Sequence, residues 1–232
     1  MSEPRDESSR YLRTEFLERI AHELRGPSGV TLGALDELEQ ALDPAFVEQN
    51  RLLFAMARRG AKRVLRTAER LTRTAQLEGG TAQVARAPCD LRAILQQAVK
   101  DAEQVEGRSS LRVEVTVPEE PVAIEGDSNW LTVSLAELVS QSIRSGRRAA
   151  QATLRREGEH AIVRVTDDRI VVAQAPRARF VSLDDRRDAA LGWPMVCEVA
   201  EMHGAELTSE PLHDAKGAVT GLAVSLRFRA TT

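Results

Sequence analysis

The stretch Phe16-Leu-Glu-Arg-Ile-Ala-His22-Glu23-Leu24-Arg25-Gly26-Pro27 lies inside a longer run in which Leu12, Phe16, Ile20 and Leu24, then Leu32, Leu35, Leu38 and Leu42, recur at steps of three and four. That spacing predicts one long helix from about Tyr11 to Leu42, bent at Pro27, whose ring removes a backbone donor. Asp43-Pro44 ends it, and a second amphipathic run through Phe46, Leu53, Met56, Val64, Leu71 and Ala75 lasts until Gly79-Gly80. The two runs read as a helical hairpin. Two helices enclose no core by themselves, whereas two hairpins make a four-helix bundle, so this half predicts a homodimer.

After Gly79-Gly80 the pattern changes. Asp90 is placed to cap a helix running to about Val105, and Leu111, Val113, Val115 and Val117 alternate with polar residues as a half-buried strand does. A short strand at Val122 to Ile124, a helix from Asn129 to Arg144 and strands at Ala152 to Arg156 and Ala161 to Thr166 follow. Residues 168–188 are polar and without period, which reads as a loop. A helix from Ala189 to Met202 stops at His203-Gly204, and strands at Glu206 to Ser209 and Leu222 to Phe228 close the chain. The expected fold is therefore an α helical hairpin forming a dimeric four-helix bundle, followed by an α/β two-layer sandwich with helices on one face of a mixed sheet. The expected boundaries are a flexible N-terminus over 1–8, the hairpin over 9–80 and the α/β domain over 84–232.

Composition narrows the function. The 232 residues are 42% apolar but only 3% aromatic, so the cores are built from Leu, Val, Ile and Ala. With 32 basic and 35 acidic side chains the formal net charge is −3, which leaves no overall basic field for nucleic acid or an anionic membrane. Cys89 and Cys197 lack the spacing of a zinc site or redox pair, and His160, His203 and His213 lack metal-ligand spacing. No stretch approaches the roughly 18 to 20 apolar residues of a membrane span, and the polar Met1-Ser-Glu-Pro-Arg-Asp-Glu is unlike a signal peptide. A cytoplasmic location is expected, with the input signal arriving through a partner or the short tail ahead of residue 9.

The segment around His22, an apolar stretch followed by His-Glu-Leu-Arg and then Pro, resembles the histidine box of two-component sensor histidine kinases. The resemblance implies that His22 is the phosphorylated residue and that Glu23 assists proton removal during transfer. A neutral imidazole attacks phosphorus through Nε2 when its Nδ1 proton is held elsewhere. The family usually has Thr or Asn four residues after the histidine, where it serves phosphatase activity, and this chain has Gly26.

The second half resembles the ATPase domain of the same kinases, the histidine-kinase and gyrase-type fold, with its motifs altered. The helix after Asp127 aligns with the family's N-box. Glu137 and Gln141 stand where two asparagines are usual, and at a spacing of four they share a helix face. The resemblance makes Gln141 the stand-in for the magnesium-binding Asn and Glu137 a candidate base for activating water; a solvated polar stripe is the alternative. Asp167 takes the place of the adenine-binding aspartate, with Arg169 where a glycine is usual. Gly192 is the survivor of a phosphate-holding glycine box at a helix N-terminus. Arg177, Arg179, Arg186 and Arg187 either contact phosphates in a short lid or are solvated. Lys216-Gly217 matches the final glycine turn.

Together these features imply an atypical cytoplasmic histidine kinase using ATP and Mg2+ to phosphorylate His22 and then passing the phosphoryl group to the receiver-domain aspartate of a response regulator. The alternative is an ATP-independent dimeric histidine phosphotransferase whose ATPase-like domain serves for docking. A partner-binding scaffold without phosphorylation is a third reading, opposed by the intact His22-Glu23 pair.

Overall fold

The computed structural model describes residues 4–106, 111–169 and 189–231. The chain divides into two compact units, Met1–Ala82 and Gln83–Thr232.

The first unit is a helical hairpin of α1 (Pro4–Ala41), a short α2 (Pro44–Gln49) and α3 (Arg51–Glu78). Apolar periodicity detects α1 only from Tyr11, yet the helix begins at Pro4, so the flexible N-terminus expected over 1–8 is helical from that residue on. A fixed proline φ at a first helical position favours such a start, and the polar turns that follow carry no apolar period. Pro27 stays inside α1; Ser28 Oγ donates to the Leu24 carbonyl at 2.7 Å and Thr31 Oγ1 to the Pro27 carbonyl at 2.8 Å. The second run is interrupted at Asn50, whose side-chain amide donates to the Phe46 carbonyl at 2.9 Å beside its own backbone N–H at 3.0 Å. Asp43 caps α2 by accepting from Ala45 N and Phe46 N.

Small residues bring α1 and α3 together: Ala21, Ala61, Ala68 and Ala75 are buried between them. Arg58 bridges Asp36 and Glu39 across the pair. Larger apolar side chains are left outside, among them Phe16 at 61% exposure, Leu53 at 64% and Val30 at 74%.

The second unit has a five-stranded sheet in the order β2-β4-β5-β7-β6 and a separate antiparallel pair β1-β3. The strands are β1 (Ala87–Asp90), β2 (Val113–Thr116), β3 (Ala123–Gly126), β4 (Ala150–Glu157), β5 (His160–Asp167), β6 (Glu206–His213) and β7 (Val219–Arg229); the helices are α4 (Leu91–Glu106), α5 (Ser128–Ser145) and α6 (Ala189–Met202). β2 and β4 are parallel and the other pairs antiparallel. Along β5, Ala161, Val163, Val165 and Asp167 are buried while the residues between them are half-buried, the period of two that a one-sided core demands. Leu131, Leu135 and Leu138 of α5, Leu91 and Leu95 of α4, Val196 of α6 and Leu226 and Phe228 of β7 complete that core. The other sheet face carries Arg155, Arg164, Arg227, Glu206 and Glu210. β1 is absent from the sequence reading, because Ala-Pro-Cys-Asp shows no alternation.

A polar joint holds the start of α5. Asp127 Oδ1 accepts from Asn129 N and Trp130 N, and Oδ2 accepts from Ala85 N at 2.9 Å. The Asp127 N–H donates to His203 Nε2 at 2.9 Å, and His203 Nδ1 lies 2.7 Å from the Val199 carbonyl. A carbonyl only accepts, so Nδ1 carries the proton and Nε2 is bare. His203 is thus a strut between α5 and the end of α6.

Burial depresses the His203 pKa, Arg86 adds to the effect, and the Val199 carbonyl and Asp127 act against it. The folded chain therefore takes up this proton at lower pH than the unfolded chain, so stability is full above about pH 6.5 and falls as the pH drops through that value. The expected loss at pH 5 is about 1 kcal/mol, the worth of the acceptor that protonation removes. Thermal melts between pH 7.5 and 5 should show it, and His203→Gln, which keeps an acceptor and cannot titrate, should flatten the profile; an undiminished slope in that variant would place the titrating group elsewhere.

Candidate functional site

His22 and Glu23 are exposed on α1, five and four residues ahead of Pro27. Ala21 beside them is buried, so α1 packs by one side and presents the histidine on the other. Arg25 is tied to α3 by a 3.0 Å bond from Nη2 to Thr72 Oγ1, which fixes the rotation of α1 a turn after His22. Gly26 is open: a Cβ there would meet nothing within 4 Å. An exposed imidazole on a braced helix can be reached by a large partner, with the Glu23 carboxylate next to it in sequence.

The remaining candidates lie in the second unit. Asp167 ends β5 on the helix-facing side of the sheet and is 4% exposed. Its carboxylate is held by Arg169: Nε donates to Oδ1 at 2.7 Å, Nη2 to Oδ2 at 2.6 Å and the Arg169 backbone N–H to Oδ1 at 3.1 Å. Arg169 is itself buried. The carboxylate expected to receive a base is thus met side-on by a two-pronged guanidinium, the strongest pairing available to it. Behind it Gly221 passes so close that a Cβ would stand 2.1 Å from the Asp167 carbonyl oxygen. The next residue, Asp168, has a structural role, accepting from the backbone N–H groups of Arg147, Arg148 and Ala149. Burial alone would raise its pKa, but those donors outweigh it and hold the carboxyl below the ordinary range.

Glu137 and Gln141 do share a face of α5, and both are buried rather than solvated. Glu137 Oε1 lies 3.1 Å from Arg144 Nη2, and Arg144 Nη1 reaches Glu106 Oε1 of α4 at 2.7 Å. Burial opposes the Arg144 charge, yet the two carboxylates more than offset it and raise its pKa. Gly192, in the first turn of α6, packs on this carboxylate: a Cβ there would sit 2.2 Å from Glu137 Oε1. A helix N-terminus favours anions, and the anion beside this one is the chain's own Glu137. One turn along α5 from Glu137, the Gln141 amide nitrogen is buried without a hydrogen-bond partner, as is Ser134 Oγ on the same face.

A hard divalent cation needs several oxygen ligands. Gln141 offers one neutral carbonyl, and Glu137 is already paired with a cation that would repel another. Mg2+ carried in by a nucleotide would complete its shell with phosphates and waters and need only one or two protein oxygens, of which the Gln141 carbonyl would be one; among the described residues no group of three His, Cys, Asp or Glu side chains stands close enough to hold a metal by itself. Arg177, Arg179, Arg186 and Arg187 lie outside the described residues. Lys216-Gly217 forms the β6–β7 hairpin tip, where Asp214 Oδ1 accepts from Lys216 N and Ala218 N. Pro194 falls in the second turn of α6, one turn later than a first-turn proline. The sequence reading missed the Arg144 and Arg169 partnerships; for Arg169 the available signal was a cation two residues after an aspartate in a strand that becomes buried.

No protein-family model and no curated protein sequence matches the chain. Solved structures do. Full-length ShkA in complex with AMPPNP is 19% identical with a TM-score of 0.68 over 94% of this chain, which spans 46% of ShkA, about half its length. The Acinetobacter baumannii histidine kinase AdeS is 16% identical at a TM-score of 0.58, covering 92% of this chain and 100% of AdeS. The mycobacterial sensor histidine kinase MprB is 20% identical at 0.53 over 63% of this chain and 98% of its own. The chain has the histidine-kinase fold, a helical hairpin followed by a kinase-type ATPase α/β domain. Among the described residues no helix is long and apolar enough to cross a membrane.

The contact of Gly192 with Glu137 is open to test. Gly192→Ala should destabilise the α/β unit by about 1–3 kcal/mol, the usual cost of overpacking. In denaturant unfolding the Glu137→Ala, Gly192→Ala pair should cost less than the sum of the single changes, because one removes what the other strikes. Strict additivity would show that the two residues do not meet.

Proposed function

We propose that this chain is a phosphotransfer protein of the two-component type, in which His22 carries a phosphoryl group and exchanges it with the receiver aspartate of a response regulator. The exposed His22-Glu23 pair on a braced helix, within a histidine-kinase fold, supports the carrier role. The lone pair of the neutral imidazole Nε2 attacks the phosphorus of an aspartyl phosphate, the P–O bond to the aspartate breaks and the carboxylate leaves. The Nδ1 proton stays on the ring, where the Glu23 carboxylate offsets the charge that develops. Passing the group onward reverses these steps.

For the source of the phosphoryl group, the geometry best supports a phosphorylated receiver, which makes the chain an ATP-independent phosphotransferase. The single observation that carries this is Asp167, whose two oxygens are both held by Arg169. The kinase reading, in which His22 is phosphorylated from ATP, draws its support from the unpartnered Gln141 amide and from the AMPPNP complex of ShkA. In that reading Arg169 has to leave Asp167 before a nucleotide enters.

The hairpin works as a dimer in this proposal. Phe16, Val30, Leu53 and Met56 form too much exposed apolar surface for an isolated pair of helices, and a second hairpin covers it as a four-helix bundle. Leu53→Glu together with Met56→Glu should halve the mass seen by analytical ultracentrifugation, and a mass unchanged from wild type would put the interface elsewhere.

The purified chain incubated with a phosphorylated receiver should acquire acid-labile, base-stable phosphate. His22→Ala should take up none while remaining dimeric, and label persisting in that variant sinks the assignment. Incubation with γ-labelled ATP separates the two sources, since label appearing on His22 without any receiver would establish the kinase reading.

A further inference from the structure

We infer that Arg169 is an internal plug: its guanidinium occupies at Asp167 the place a nucleotide base would take, and removing it opens a latent nucleotide site. This deepens the receiver-fed reading above and rests on it.

Asp167 faces the helices from the end of β5, where a buried carboxylate needs donors from somewhere. All three hydrogen bonds identified at its oxygens come from one residue, two positions along the chain. A base would offer neutral N–H groups; Arg169 offers N–H groups of the same kind with a full positive charge, and a local contact has almost no loop to close. For a base to take Asp167, the buried guanidinium would have to leave, and the base's neutral donors would not balance the charge left behind. The carboxylate prefers the plug.

The Glu137 carboxylate on α5 is matched in the complementary sense. The Glu137 carboxylate, anchored by Arg144, lies against Gly192 in the first turn of α6, where a helix N-terminus would otherwise favour a phosphate. A cation thus stands in for the base and an anion for the phosphate. One turn along α5 from Glu137, the Gln141 amide nitrogen is buried and still without a partner, a polar group that the chain's own residues leave unsatisfied.

Isothermal titration calorimetry of the full chain with ADP and Mg2+ tests this. Wild type should bind with a dissociation constant of about 1 mM or weaker, and Arg169→Gly at least about tenfold more tightly. The double variant Asp167→Asn, Arg169→Gly should lose that gain. Removing Arg169 strips the Asp167 charge of its partner, so thermal melts are run first. If the glycine variant does not melt cooperatively, Arg169→Gln, which fills part of the space without the charge, is titrated in its place. Wild type binding as tightly as the variant, or a folded variant binding no better than wild type, overturns the plug. Phosphate uptake from a phosphorylated receiver is measured on the same proteins; its failure in wild type would defeat the receiver-fed reading whatever ADP does.

Discussion

A carboxylate taken out of water must be given a counter-charge or a set of donors, and the α/β unit is organised by how its buried acids meet that demand. Asp127 is satisfied by backbone N–H groups at the start of α5, which makes it a cap and joins α5 to the segment before β1. Asp168 is satisfied by three consecutive N–H groups and so fixes the turn into β4. Glu137 and Asp167, by contrast, are both matched by arginines of the same chain. Breaking either pair from one side would cost about 3–5 kcal/mol, comparable to much of a domain's net stability. These pairs therefore hold the unit together.

How much of this was legible in the sequence depends on the range of the interaction. The hairpin declared itself because apolar residues three and four apart mark a helix whatever surrounds it, and the strands β4 and β5 because their alternation is strict. The ends were less legible. β6 runs on to His213, beyond the expected Ser209, because pairing with β7 rather than any apolar pattern sustains it there. β1 exists only as a partner of β3, so nothing within its four residues announces it. The break at Asn50 was hidden for the opposite reason, since the apolar period continues across it, while the Asn50 side-chain amide joins its own backbone N–H at the Phe46 carbonyl.

The candidate site divides along the same line. His22, Glu23, Glu137, Gln141, Asp167 and Gly192 were picked out by position in a pattern, and the structure buries the last four within a single α/β unit. What the pattern could not carry was occupancy. Glu137 and Arg144 are seven residues apart, outside the spacing that flags a helical ion pair, and Arg144 holds Glu137 with one prong and Glu106 of α4 with the other. Arg169 read as an obstacle to close backbone approach, whereas its side chain turns back onto Asp167 and holds both carboxylate oxygens.

The two units draw their stability from different sources, and this bears on what an altered cleft residue does to the whole chain. If the hairpin gains its core from a second copy, as proposed, His22 remains presentable as long as the apolar face around Leu53 and Met56 is covered. The α/β unit gains its core from its own leucines and valines, and its buried charges cancel internally. Replacing a glycine by arginine beside Asp167 therefore need not unfold the unit. Under the proposed plug it exchanges a site that requires a ligand's donors for one that supplies them itself, a change that would leave the fold recognisable and the exposed histidine untouched.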